Sequence, residues 1–495
     1  MFGRVRLIPW KVILLSIYII ASTIIVTQLY KIRQSENFTL IENASLLVDD
    51  KIKGPLEVSE ANPRYFSDPD GNIVYLTGSH TWGNLQNSGM MDPPPPFDYD
   101  KYLNFLEANH HNFFRLWTWE HARWDVDRDE DFWIAPLPYR RTGPGLALDG
   151  KLKFDLTLFD PEYFDRLRQR VIEANSRNIY VSVMLFQGWS LDDRGFGKDN
   201  PWNGNPYNPE NNVNGINGDP NGDGSGKEVQ TLQIPGITKL QEAYVKKVVD
   251  TLDDLDNVLY EISNESYSNS QDWQYFMINF IKDYEAGLPK QHPVGMTIEY
   301  PNGNNSELFA SPADWISPKG IYNLDAPQSS GGTKVILLDT DHLCGICGDR
   351  YWVWKGFTRG NNPILMDPYD GKNWGLPPGY DPNDPKWINL RLNLGYTLAY
   401  AHRINLKEMK PREDLCSSTF CLANPVAIGA EYLVYLPSGG SVTVDLTASP
   451  REFSVEWFDP KTGNTMNGEI ISGGGFESFL SPVGFSDDAV LYLYQ

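Results

Sequence analysis

Residues 258–266 read VLYEISNES and residues 334–342 read KVILLDTDH, and in each stretch a short apolar run ends in polar and acidic side chains. Apolar runs of this length, bounded by polar residues, are typical of buried strands in a parallel sheet. From about residue 60 to 405, similar runs alternate with segments whose apolar residues recur at helical spacing. The alternation predicts an α/β fold, a (β/α)₈ barrel over residues 61–405.

Eight candidate strands can be counted in this region. They are Ile73–Thr77, Asn112–Trp117, Ile179–Leu185, Val258–Ser263, Val294–Ile298, Trp315–Ser317, Val335–Leu338 and Pro363–Met366. The clearest helical pattern runs from Leu240 to Leu252, and another surrounds Tyr163–Ala174. Eight strands is the number that closes a barrel of this class.

The C-terminal part of the chain has a different pattern. Residues 406–495 contain the alternating runs EYLVYLP, SVTVDL, FSVEWF and AVLYLY, separated by residues that favour turns. Short alternating strands at this spacing predict a small antiparallel β-sandwich after the barrel.

An apolar segment lies near the N-terminus. Residues 12–30 are uncharged and mostly apolar, and three basic residues precede them. Such a run is nearly long enough to cross a bilayer as a helix, and the basic flank favours a cytoplasmic position for residues 1–11. We therefore expect a membrane anchor, a linker over residues 31–60 and an extracytoplasmic barrel. Cleavage of the segment as a secretion signal is the alternative.

The charge of the chain restricts its partners. There are 64 acidic and 42 basic residues, a formal net charge of −22, which disfavours binding to nucleic-acid phosphates. Aromatic residues make up 13% of the chain, and aromatic side chains commonly line ligand clefts. A carbohydrate substrate fits this composition, and no cofactor is required.

Acidic residues follow the fourth and seventh predicted strands. In a (β/α)₈ barrel the active site lies at the C-terminal ends of the strands, so these side chains should meet there. Hydrolysis of a glycoside needs one carboxyl that donates a proton and a second carboxylate on the opposite face of the sugar. Glu265, Asp339 and Asp341 are the candidates for these two carboxyls, and of the two aspartates Asp339 is preferred because it ends the apolar run directly.

Other side chains at strand ends are candidate substrate contacts. Arg115 lies at an inward-facing position near the end of the second strand and would keep a nearby aspartate ionised, although a structural ion pair with Glu261 is the alternative. The remaining candidates are Asn264, His80, Trp82, Gln187, Trp189, Glu299, Tyr300, His342 and Asp367.

Two further motifs concern metal binding and disulfides. The loop GDPNGDGSGKE presents oxygens at alternate positions, as a calcium loop does, from Asp219, Asn221, Asp223 and Ser225. Where such a loop would end in an acidic residue the chain has Gln230, and Glu228 could replace it. Cys344 and Cys347 indicate a loop disulfide or two free thiols, and Cys416 and Cys421 are expected to form a bridge.

Several stretches resemble the apiosidase-like (DUF4038-type) barrel glycosidases of clan A. The resemblance is carried by NPRYFSDPDGNIVYLTGSHTW, YEISNES, ILLDTDH, YWVWKGFTRGNNPILMDPYDG and the tail, which is similar to sandwiches labelled as collagen-binding. It implies that Glu265 is the acid/base, that Asn264 binds the sugar 2-hydroxyl and that Arg115 contacts the nucleophile. The clan nucleophile is normally Glu, so an aspartate there keeps an inverting mechanism open.

Three functions follow from these patterns. The first is a glycoside hydrolase, in its retaining form, acting on a polysaccharide or glycan. The second is a non-catalytic surface protein that binds carbohydrate or matrix protein through the same cleft. The third, a metalloenzyme using His80, His342 and the aspartate pair, lacks a compact ligand motif.

Overall fold

The computed structural model describes residues 38–40, 51–124, 131–195, 199–320, 324–325, 327–371, 376, 379–485 and 487–495. The predicted membrane anchor lies outside these residues. Within the described ranges, every helix is too short or too polar to traverse a bilayer.

Eight parallel strands form the predicted barrel, which is confirmed. They are β1 (Gly78–His80), β2 (Phe113–Leu116), β3 (Tyr180–Gln187), β4 (Val258–Asn264), β5 (Val294–Thr297), β6 (Trp315–Ser317), β7 (Val335–Asp339) and β8 (Asn362–Met366). Each strand from β2 to β8 is hydrogen-bonded to the next, and β8 is hydrogen-bonded to β1. The circle nearly closes because β1 also lies against β2, where a Cβ atom on Gly78 would come within 2.2 Å of the Phe113 carbonyl oxygen.

The first strand of the barrel was predicted wrongly. Ile73–Val74, from the predicted strand Ile73–Thr77, instead pairs with Phe66–Ser67, which also pairs with Glu57–Val58. These three strands form a small antiparallel sheet that precedes the barrel strands in the chain. The barrel strand is Gly78–His80, whose three residues are all buried. It has no apolar pattern because its side chains serve the polar interior, so periodicity cannot detect it. The other seven strands end within two residues of their predicted bounds.

Eight helices are described along the chain. They are α1 (Tyr99–Ala108), α2 (Pro161–Asn175), α3 (Pro235–Leu252), α4 (Gln271–Glu285), α5 (Asn305–Ala310), α6 (Thr340–Leu343), α7 (Arg350–Thr358) and α8 (Pro385–Arg403). The two predicted helices are α2 and α3. Helix α2 begins where the Asp160 side chain accepts a hydrogen bond from the Glu162 amide and Pro161 occupies the first turn.

Two antiparallel insertions extend the barrel loops, and four 3₁₀ turns are described along the chain. The first insertion joins Asn87–Gly89, Phe132–Ala135 and Arg123–Trp124, and the second is the hairpin of Tyr139–Leu146 with Leu152–Phe159. The turns are Gly188–Ser190, Pro201–Gly204, Lys227–Gln230 and Glu413–Leu415.

The C-terminal region forms the predicted antiparallel sandwich. Its strands are β9 (Lys410–Pro411), β10 (Cys421–Asn424), β11 (Glu431–Leu436), β12 (Ser441–Asp445), β13 (Glu452–Asp459), β14 (Asn464–Asn467), β15 (Ile471–Ser472), β16 (Phe476–Leu480) and β17 (Ala489–Tyr494). The larger sheet runs in the order β14, β13, β17, β11, β10, β9, with β15 beside β13 and residues 38–40 beside β14. Strands β12 and β16 form the second sheet.

The sandwich packs against the barrel through helices α7 and α8. Trp354 on α7 is fully buried and stacks on Tyr435 of β11, with 6.2 Å between ring centroids. Tyr396 of α8 meets Phe458 of β13 edge to face. Burying large aromatic side chains at a contact of this kind is strongly favourable, so the sandwich braces the barrel.

The cysteine pairing differs from the expectation. Cys344 and Cys347 form a disulfide, whereas Cys416 and Cys421 are free and buried. The expected bridge between Cys416 and Cys421 is therefore wrong. Each residue is held in its own backbone pairing, Cys416 with Val444 and Cys421 with Val434, and Sγ of Cys416 lies 3.3 Å from the Ser418 hydroxyl oxygen.

Candidate active site

Arg115 lies at the centre of the polar cluster that the strand ends form. Its side chain is buried, and its Nε and Nη2 atoms donate to Glu261 at 2.8 and 2.5 Å. Nη2 also donates to Oδ1 of Asn264 at 2.6 Å. Nη1 donates to Asp339 at 2.9 Å and to Asp341 at 3.0 Å. One guanidinium thus joins β2, β4 and β7, and the ion pair with Glu261 coexists with the predicted contact to the aspartates.

Each carboxylate oxygen of Asp339 has two hydrogen-bond contacts. Nε2 of His80 lies 3.0 and 2.9 Å from its two oxygens, and its Oδ1 accepts from the amide of Asp341 at 2.9 Å. The Trp117 indole N–H, which can only donate, approaches Nδ1 of His80 at 2.8 Å, so the proton of His80 is on Nε2. Burial would raise the pKa of Asp339, but His80 and Arg115 outweigh burial and hold that pKa far below its usual range.

Asp341 is bound more loosely than Asp339. Its side chain is 7% exposed and accepts one hydrogen bond from Arg115. Burial raises the pKa of Asp341 to about 6, with Asp339 adding to the rise and Arg115 opposing it. Asp341 is therefore the less enclosed of the two aspartates, and Arg115 is the group that favours its ionised form most strongly.

Glu265 follows β4 and has the opposite protonation preference. It is 7% exposed, and Oε2 of its carboxyl accepts a hydrogen bond from the Trp189 indole at 2.5 Å. Burial raises the pKa of Glu265 to about 8; the negative charge of Asp341 adds to the rise, and Arg194 opposes it. The site thus contains one carboxyl whose protonated form is favoured by burial and by a neighbouring carboxylate, and another that Arg115 contacts directly.

Asn264 is oriented by its partners. Its Oδ1 accepts from Arg115 and lies 3.1 Å from Nε2 of His342, while its Nδ2 donates to Gln187 at 3.3 Å. The Ser317 hydroxyl lies 2.7 Å from Nδ1 of His342, and burial lowers the pKa of His342 to about 3, so this ring is neutral. Asn264 is thus held by groups from β2, β3 and α6.

An aromatic wall stands beside Glu265. Trp189 stacks on Tyr300 with a 5.8 Å separation of ring centroids, and the Arg194 guanidinium lies 4.7 Å from the Trp189 ring centroid. The sequence analysis did not single out Arg194 or Trp117. Trp117 follows the second strand at the parity of Arg115 and could have been found from that spacing, whereas nothing in the sequence signals Arg194.

Three predicted contacts have other partners in the structure. Asp367 is 2% exposed and binds Arg391 of α8 with both oxygens, at 2.8 and 2.7 Å. Glu299 accepts from Ser270, and burial, with Glu307 beside it, raises the pKa of Glu299 to about 7. Trp82 packs edge to face on Trp117 within an aromatic cluster. Their described contacts give Asp367 a structural role and leave substrate contact by the other two as a prediction.

The side chains of the predicted calcium loop form hydrogen bonds within the loop. Asp219 accepts from the amides of Gly222, Asp223 and Gly224, and Asp223 accepts from both the amide and the hydroxyl of Ser225. Asn221 donates to Asp223 and Glu228. Across the described ranges, no three His, Cys, Asp or Glu side chains converge as a metal site would require. Calcium binding here stays a prediction.

Two family models match parts of the chain. The one described as "Domain of unknown function (DUF6298)" matches residues 103–300, which include Arg115 and Glu265 but neither aspartate. The one described as "Putative collagen-binding domain of a collagenase" matches residues 426–494, inside the sandwich. None of the curated proteins compared with the chain matches it. The resemblance to apiosidase-like enzymes stays a prediction.

Solved structures share the fold of most of the chain. A glycoside hydrolase family 5 protein from Bacteroides vulgatus is 14% identical, with a TM-score of 0.58 over 89% of this chain and 93% of the other. A chain described as a glycoside hydrolase is 12% identical, with a TM-score of 0.52 over 89% and 97% of the two chains. Both coverages include barrel and sandwich, so this two-domain fold occurs among glycoside hydrolases.

Proposed function

We propose that the chain is a retaining glycoside hydrolase in which Glu265 is the acid/base and Asp341 is the nucleophile. The observation that carries the proposal is the meeting of buried carboxyls at the C-terminal ends of β4 and β7, where Arg115 contacts Asp341 while burial and the charge of Asp341 raise the pKa of Glu265. Glycosidases need such a pair, because one carboxyl must donate a proton while the other bears charge. The fold shared with glycoside hydrolases agrees with the proposal.

The choice of Asp341 over Asp339 rests on hydrogen bonds and exposure. Both oxygens of Asp339 are in hydrogen-bond contact with His80, and each has a second donor, Arg115 or the Asp341 amide; the side chain is 0% exposed. An anomeric carbon could reach Asp339 only by breaking these contacts. The Asp341 side chain is partly exposed, and its negative charge raises the pKa of Glu265. Asp339 then serves to hold the Arg115 guanidinium in place, and its own carboxylate stays ionised at the C-terminal end of β7.

The reaction follows from these roles. The Glu265 carboxyl gives its proton to the glycosidic oxygen as the bond to the anomeric carbon breaks, and an Asp341 oxygen forms a bond to that carbon. Glu265, now ionised, then takes a proton from water while the water oxygen attacks the anomeric carbon and releases Asp341. Arg115 stabilises the Asp341 carboxylate in the free enzyme, and Asn264, the residue before Glu265, is the proposed partner of the sugar 2-hydroxyl.

Hydrolysis assays with matched variants test the proposal. The full-length protein is assayed against a panel of aryl glycosides and plant cell-wall polysaccharides, together with Glu265→Gln and Glu431→Gln. Glu431 is a partly buried carboxyl in the sandwich that accepts from the Asn405 amide, so its variant controls for the loss of a buried charge. Glu265→Gln should lower kcat about 10²–10⁴-fold because an amide cannot donate the proton. Equal turnover of both variants would rule out the assigned acid.

The anomeric configuration of the first product tests the role of Asp341. A retained configuration, followed by proton NMR during hydrolysis, agrees with a covalent intermediate on Asp341. Inversion would instead make one of the two aspartates a base that activates water. Asp341→Asn and Asp339→Asn separate these residues, since addition of azide should restore turnover, as a glycosyl azide, only in the variant that lacks the nucleophile.

We also propose that residues 12–30 anchor the protein in a membrane with the barrel outside the cytoplasm. The uncharged apolar run and its basic flank support this arrangement. Deleting residues 1–33 should move the protein from the membrane fraction to the supernatant. A mature N-terminus near residue 30 on the intact protein would show cleaved secretion instead.

A further inference from the structure

The backbone of Glu265 is in an unfavourable conformation. Its φ is +46°, in the left-handed region where a side chain with a Cβ atom is strained. A residue stays in this region only when its surroundings hold it there, and such residues concentrate at functional sites. The contacts that hold Glu265 therefore determine where its carboxyl points.

Arg194 contacts the Glu265 backbone directly. Its Nη2 donates to the Glu265 carbonyl oxygen at 2.6 Å. Gly188 lies beside the same contact, where a Cβ atom would come within 2.2 Å of that oxygen and 2.7 Å of Nη2. The absence of a side chain at Gly188 thus leaves the space through which the guanidinium reaches β4.

Arg194 also contacts the residue that binds the Glu265 carboxyl. Its guanidinium carbon lies 4.7 Å from the ring centroid of Trp189, 4.4 Å from that of Tyr267 and 5.3 Å from that of Tyr300. Trp189 donates its indole N–H to Oε2 of Glu265. A cation among aromatic rings is attracted to their faces, so Arg194 holds the indole as well as the carbonyl.

The charge of Arg194 is not matched by a hydrogen-bonded carboxylate. Its Nε and Nη1 atoms are buried and have no hydrogen-bond partner among the residues that the structure describes. The charged groups that act on Glu265 are Asp341 from α6, Arg115 from β2 and Arg194 from the loop after β3. Because Arg115 is shared among three carboxylates, Arg194 is the cation that favours the ionised form of Glu265 most strongly.

We propose that Arg194 is a positioning residue for Glu265, which holds its left-handed backbone and its Trp189 partner in place. The inference extends the proposed function, because it assigns to the loop after β3 the alignment of the acid/base on β4. Arg194 acts through Glu265 and Trp189 and needs no contact with the sugar.

Titration of the Glu265 carboxyl tests this proposal without any substrate. Full-length protein is labelled with ¹³C at glutamate side-chain carboxyls, and the Glu265 signal is assigned by its loss in Glu265→Gln. In Arg194→Gln the titration midpoint of Glu265 should rise by about one pH unit, since removing a nearby cation disfavours the carboxylate. Arg194→Lys keeps a cation but not a planar guanidinium. It should leave the midpoint near the wild-type value while lowering kcat about tenfold, with little change in KM.

Arg170→Gln is the matched control. Arg170 on α2 also stacks on aromatic rings, 4.1 Å from the Tyr99 centroid and 5.8 Å from that of Phe97, and its buried Nε has no hydrogen-bond partner among the described residues. Its loss should lower the melting temperature without moving the Glu265 midpoint. A Glu265 midpoint that is the same in wild-type protein, folded Arg194→Gln and Arg170→Gln would overturn the positioning role.

The titration and the assays separate the two proposals. A Glu265 midpoint that depends on Arg194 in a protein that hydrolyses no glycoside would uphold the positioning role and refute the proposed function. Should Arg194→Gln fail to fold, Arg194→Lys decides the matter, because unchanged kcat in that variant would overturn the inference.

Discussion

The pH dependence of hydrolysis is the sharpest consequence of the electrostatic interaction between Glu265 and Asp341. Activity needs Asp341 ionised, which requires a pH above about 6, and Glu265 protonated, which requires a pH below about 8. The profile of kcat/KM should therefore be bell-shaped with an optimum at about pH 7. Below the acidic midpoint and above the basic midpoint, kcat/KM falls tenfold per pH unit. Its values at pH 5 and at pH 9 should therefore each be about one tenth of the value at pH 7. Because Glu265 and Asp341 interact, the two midpoints are apparent pKa values of the pair, and neither belongs to one residue alone.

The assay for this profile is initial-rate hydrolysis of the best glycoside from the panel, at constant ionic strength. Melting temperatures over the same pH range show whether the enzyme stays folded where it loses activity. Removing the charge of Asp341 in Asp341→Asn should move the basic limb of the azide-restored reaction to lower pH, since the like charge that favours protonated Glu265 is gone. An activity that falls steadily above pH 5 would mean that Glu265 ionises like an exposed carboxyl, and would refute the reasoning.

Three further predictions concern stability and chemistry around the site. Arg115→Met leaves buried carboxylates without their cation, and should lower the free energy of unfolding, measured with denaturant, by about 3–5 kcal/mol; an unchanged denaturation midpoint would contradict the central role of this residue. Asp367→Asn should lower the melting temperature but leave KM unchanged, because its carboxylate binds Arg391; a raised KM would point to a sugar contact after all. Thiol titration of the denatured, unreduced protein should count two thiols, Cys416 and Cys421, and a count of zero would restore the bridge between them.

Much of the architecture was predictable from local patterns. Seven barrel strands could be placed because their apolar runs are buried on both faces, and the sandwich because its strands alternate. The positions of Glu265 and the two aspartates also followed, since the C-terminal ends of parallel strands meet at one rim whatever their separation along the chain. Chain order and burial together were enough for these features.

Features that depend on partners from distant segments needed the tertiary structure. Which aspartate is free to react depends on His80, which lies 259 residues before Asp339 and occupies both of its oxygens. His80 belongs to a polar strand that no apolar pattern reveals. The free thiols of Cys416 and Cys421 likewise depend on strands that pair with each residue from elsewhere in the sandwich.

The sequence by itself determined the fold class, the two domains and the rim on which the acidic residues gather, because burial and periodicity are local properties of the chain. Only the tertiary structure decided how the carboxyls differ. The proton affinity of Glu265 depends on burial, on Asp341 and on Arg194, and these two residues come from two other segments of the chain. Electrostatic interactions act through space over a few ångströms, and distances of that size between remote residues exist only once the barrel has closed.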